Sequence, residues 1–149
     1  GVVEHRLSLG QFATLKFADD HPLLYRYNDL PCGLFFRGTP DDPNALLVDI
    51  LQAYTMTFGP WRQIPEYLNQ NKPLFSLLTS GGDLLGEMPK KLADNLVKAL
   101  EAHKLETKVI VDEGLDKDEH GRSQLRKVLM LDDSYIIALD FSVDILGKA

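Results

Sequence analysis

Apolar and polar positions alternate along the chain with two different periods, and the periods mark out the elements. The clearest helical spacing follows "PDDP". Leu47, Ile50, Leu51, Tyr54 and Phe58 keep one face apolar, with Asp49 and Gln52 expected to look outward. Asp42 suits the cap of this helix and Pro43 its first turn, and Gly59-Pro60 stops it. A second helix is expected from Pro89 to about His103, with Leu92, Leu96, Val97 and Leu100 inward.

Shorter apolar runs point to strands. A hairpin is expected from Leu23–Tyr27 and Leu34–Arg37, joined by the turn-forming "DLPCG". Leu74 to Thr79 is a short apolar run between breakers and predicts a buried strand. "TKVIVDE" predicts another strand, and "LRKVLML" and "YIIALDFSV" two more around a turn at Asp132, Asp133 and Ser134. "SLGQ" fits a capping box, which favours a short helix over Leu9–Ala18, although the same residues read as two short strands. One helical turn is expected after Pro65.

Together these elements predict an α+β fold. It would be one domain over residues 1–149, with a mixed sheet of about five or six strands packed by two main helices. In the second half, strand, helix and strand follow in the order of a βαβ unit with a parallel pair.

Composition narrows the function classes. Lys plus Arg is 16 and Asp plus Glu is 22, giving a net charge of −6. That sign argues against nucleic acid and against an anionic membrane surface, and is compatible with a basic protein partner. No apolar run reaches the roughly 20 residues of a membrane span. "GVVEHRLSLG" has no hydrophobic signal core, and the single cysteine, Cys32, allows no internal disulfide. A reducing, cytoplasmic setting is expected on those grounds.

The stretch "LLTSGGDLLGEMPKK" raises the question of a phosphate loop. Gly81 and Gly86 have P-loop spacing, but Glu87 stands where a lysine must hold phosphate and Met88 where a hydroxyl is needed. A weaker anion site is conceivable at Ser80, Gly81 and Gly82 with Lys90 and Lys91 in the first helical turn. The competing reading is a strand-to-helix bend that needs glycine. "DKDEHG" lacks the residues of a calcium loop, since Lys127 falls where a bidentate Glu is required. The four histidines lack paired metal spacing. Cys32 reads as a buried structural thiol rather than a nucleophile. No cofactor is expected.

What remains is an interaction or regulatory module acting through a protein partner. The acidic run with Asp116, Asp118 and Glu119 is its expected contact for a basic partner, and Trp61 its candidate surface aromatic. The alternative expectation is a domain or enzyme binding a small anionic ligand at Ser80–Asp83 and the following helix N-terminus.

Overall fold

The computed structural model describes residues 1–8, 10, 13–112 and 124–142. The fold is α+β, and its seven described strands form two antiparallel sheets rather than one mixed sheet. The chain divides into two compact units. One is built from Gly1–Asn28 and Asp116–Ala149, the other from Asp29–Leu115.

The first unit carries a four-stranded sheet in the order β1-β7-β6-β2, with β1 at Val2–Arg6, β2 at Leu15–Ala18, β6 at Lys127–Leu131 and β7 at Ser134–Ala138. The expected hairpin of β6 and β7 is present, turning at Asp132 and Asp133. Val128, Met130, Tyr135 and Ile137 bury one face of it.

Two expectations fail in this unit. The helix over Leu9–Ala18 is replaced by β2, at least over the described Leu15–Ala18. Leu15 pairs with Leu131 and Phe17 with Leu129, so the alternate residues find apolar cross-strand neighbours. The Asp132 carboxylate accepts the Ala13 and Thr14 amides and the Thr14 hydroxyl, which ties the entry of β2 to the hairpin turn. The strand over Leu23–Tyr27 is instead a 3-10 turn, Pro22–Leu24, running into α1 at Tyr25–Asn28. Pro22 presets the turn and His21 Nδ1 accepts the Leu23 amide, a cap that propensity alone does not reveal.

The second unit carries a three-stranded sheet in the order β4-β3-β5, with β3 at Pro31–Arg37, β4 at Gly82–Pro89 and β5 at Glu106–Val111. Cys32, Leu34 and Phe36 alternate inward from the central strand. Helix α4 (Lys90–Ala102) packs on all three strands and α2 (Pro43–Phe58) packs beside α4, these being the two helices expected, while α3 (Leu74–Leu78) packs against α2 and β4. Asp42 caps α2 by accepting the Ala45 amide, as its position predicts. The helical turn expected after Pro65 is a 3-10 turn that starts one residue earlier, at Ile64–Glu66.

Leu74–Thr79 is not a strand. Pro73 opens α3, Leu77 and Leu78 are fully buried, and the Thr79 and Ser80 hydroxyls donate to carbonyls one turn back. The strand lies one step later, at β4. The βαβ expectation is therefore corrected: β4, α4 and β5 follow in that order, but β3 lies between the two strands and is antiparallel to both.

Candidate functional site

The glycine stretch bends from α3 into β4, not into a helix. Gly81 has φ of 91° and Gly82 of 147°, values that L side chains rarely adopt. A Cβ on Gly82 would lie 2.8 Å from the Phe36 carbonyl oxygen. The Gly81 carbonyl accepts the Gly38 amide at 2.8 Å, and Ser80 Oγ donates to the Leu77 carbonyl at 2.7 Å. Gly86 has a different duty. Tyr67 and Leu68 cross β4 there, and a Cβ would sit 2.1 Å from the Tyr67 carbonyl oxygen. The spacing that suggests a phosphate loop thus joins a bend to a backbone crossing.

Lys90 and Lys91 lie at the far end of β4. The eight residues of β4, Gly82–Pro89, separate them from Ser80 and Gly81, roughly 25 Å at the usual rise. The structure does not bring the two halves of that expected site together. At the start of α4 the anion is the chain's own. Asp29 accepts the Lys91 amide at 2.7 Å and the Leu30 amide at 2.9 Å. The Lys90 amide donates to the Leu30 carbonyl, and its ammonium lies 2.8 and 3.0 Å from the two Asp94 oxygens. That hydrogen bond to Asp94 raises the Lys90 pKa. Asp29 is the residue that sequence reasoning missed. It stands 62 positions before Lys91, and no local pattern joins them.

Cys32 is buried beneath this corner, and its thiol donates to the Met88 carbonyl at 3.4 Å. Burial pushes its pKa up first, Asp29 and Asp94 add to that, and Lys90 opposes it. The thiol is therefore held protonated, as a structural residue would be, and not activated as a thiolate nucleophile.

The loop before α3 forms an open cavity of about 380 Å³, lined by Ile64, Leu68, Asn69, Gln70, Lys72 and Leu74 among others. Its polar groups bond within the loop and to β4. Asn69 Nδ2 donates to the Leu84 carbonyl, Gln70 Nε2 to the Pro65 carbonyl, and Lys72 Nζ to Asp83. These contacts shape the wall.

A different surface stands out on α2. Asn44, Val48, Gln52, Thr55 and Met56 face solvent, and none of them is charged. With half-buried Leu51, positions 48, 51, 52, 55 and 56 follow helical spacing and line a shallow groove of about 380 Å³. Val48 is 51% exposed and Met56 80%. The one charged residue of α2, Asp49, keeps 44% of its side chain exposed but leans to one side of the stripe. Its carboxylate lies 2.6 Å from His103 Nε2 at the end of α4. Acidic Asp41 and Asp42 are exposed at the N-terminal end of the stripe. The spacing that marks the inner face also locates this outer one; the signal is that a helix of 16 residues holds a single charge.

Trp61 follows α2 in a turn, half-buried, with its amide donating to the Phe58 carbonyl. Asp116, Asp118 and Glu119 lie outside the described residues. Among the described residues no cluster of His, Cys, Asp or Glu could hold a metal ion, and no helix is long and apolar enough to cross a membrane. Comparison with protein-family models, with curated proteins and with solved structures returns no match.

Proposed function

We propose that the chain is a non-enzymatic interaction or regulatory module that acts through a protein partner. The observation that carries this reading is the uncharged outer stripe of α2, with Met56 80% exposed in a chain of net charge −6. Single apolar residues on a surface are ordinary, but a run of them along one helix marks a contact.

The partner that fits is a basic amphipathic helix. Its apolar side would lie along Val48, Leu51, Thr55 and Met56, and its basic side would meet the acidic surroundings, beginning with Asp41 and Asp42. The acidic run Asp116, Asp118 and Glu119 would add long-range attraction. A reducing, cytoplasmic setting suits a chain with one cysteine held as a buried thiol.

The test is a titration of isotope-labelled protein with two designed helical peptides, one of leucine and lysine and one of leucine and glutamate, followed by amide chemical shifts. The basic peptide is expected to move the amides of residues 48–56 and to weaken with added salt. Shifts confined to other regions, or no shift with either peptide, would overturn the reading.

A further inference from the structure

The chain holds three methionines and one cysteine, and they are placed very differently. Met88 is 3% exposed and Met130 8%, each in the core of its own unit. Cys32 is 4% exposed, and burial first, then Asp29 and Asp94, keep its thiol protonated. Met56 is 80% exposed. Oxidation of a methionine by peroxide follows access, and oxidation of a cysteine follows access and thiolate character. Met56 is therefore the one sulfur open to an oxidant dissolved in water.

Its place gives that chemistry a consequence. Met56 stands on the uncharged stripe of α2, one helical repeat beyond Gln52 and two beyond Val48. The Thr55 hydroxyl donates to the Leu51 carbonyl and is used within the helix. Val48, Leu51 and Met56 supply the apolar part of the groove, and Met56 is the most exposed of the three. From this placement we propose that Met56 is a reversible oxidation site, and that a peroxide acting on it switches off docking along the α2 stripe. The inference rests on the reading of that stripe as a docking surface.

In the step, the Met56 sulfur attacks one oxygen of hydrogen peroxide. The O–O bond breaks and an S–O bond forms. The sulfur gives up two electrons, and the second oxygen takes the proton of the first and leaves as water. An apolar thioether becomes a polar sulfoxide. The sulfoxide oxygen is a strong acceptor, and burying it against the apolar side of a partner carries a cost that the thioether does not. Methionine sulfoxide reductases return the sulfur to the thioether, so the change is reversible. The side chain lies outside the core, so the fold itself is not affected.

The experiment treats the full chain with hydrogen peroxide, maps the product by peptide mass, and titrates the leucine-lysine peptide into both forms by calorimetry. One added oxygen is expected, at Met56, with Met88 and Met130 reacting at least about tenfold more slowly because they need local opening. The oxidised chain should melt as the reduced one does and bind the peptide at least about tenfold more weakly, the loss of one buried methionine contact. A sulfoxide reductase should restore the affinity. Met56→Gln should bind as weakly as the oxidised chain. Met56→Leu, whatever its own affinity, should keep it through peroxide treatment. Oxidation first at Met88 or Met130, equal affinities of the reduced and oxidised chains, or a Met56→Leu affinity that falls on treatment would each overturn the switch alone. A reduced chain that does not bind the peptide would overturn the docking reading, and the switch with it.

Discussion

Helices α2 and α4 pack side by side and differ most on the side that faces water. Their inner faces are alike: Leu46 and Ile50 on one and Leu92, Leu96 and Leu100 on the other are fully buried. Two polar contacts join them, Asn95 Nδ2 donating to Thr57 Oγ1 at 2.8 Å and His103 meeting Asp49. Outside, α4 exposes Lys91, Asp94, Lys98 and Glu101 at helical spacing, a face already suited to water. The α2 face exposes Val48, Gln52, Thr55 and Met56, a face only half suited to it. Packing of the inner faces does not account for the outer difference, and the proposed partner would.

Six substitutions break or sharpen that contrast. The largest effects lie where the helices agree. Ile50→Ala and Leu96→Ala should each cost about 2–5 kcal/mol in chemical denaturation, and a tolerated change on either side would mean the inner faces are not equivalent. Next comes the frame beneath them. Gly86→Ala drives a Cβ into the Tyr67 carbonyl and should cost about 3 kcal/mol, measured the same way. Removing the bridge, by Asn95→Ala, should cost about 1 kcal/mol, since Thr57 keeps its own donation to the Ala53 carbonyl. The smallest effect on stability is expected outside. Met56→Lys on α2 and Lys98→Met on α4 should each change it by less than about 0.5 kcal/mol. A large loss in Met56→Lys would show that the stripe serves the fold and not a partner.

The sequence made α2 and α4 legible because a long amphipathic period and a cap agree with each other, Asp42 and Pro43 before one helix being the plainest case. The hairpin at Asp132 and Asp133 was legible for the same reason, turn chemistry between two strand-like runs. Short segments were not. Leu23–Tyr27 and Leu74–Thr79 are apolar runs of a length that fits either element, and distant packing decided for helix. In "TSGGDLLGE" the glycines suggested a strand-to-helix bend; the bend at Gly81 and Gly82 runs instead from α3 into β4, and what excludes a side chain is nonlocal. Gly82 meets Phe36 and Gly86 meets Tyr67 and Leu68 across the sheet. The lysines at the start of α4 suggested an external anion, and the anion is Asp29.

The central claim is that the outer face of α2, and not that of α4, meets a partner. Calorimetric titration of the leucine-lysine peptide into wild type, Met56→Lys and Lys98→Met tests it most directly. The account predicts at least about tenfold weaker binding for Met56→Lys, through loss of the apolar contact and an added like charge, and wild-type affinity for Lys98→Met. Equal affinities for all three, or a loss confined to Lys98→Met, would contradict it.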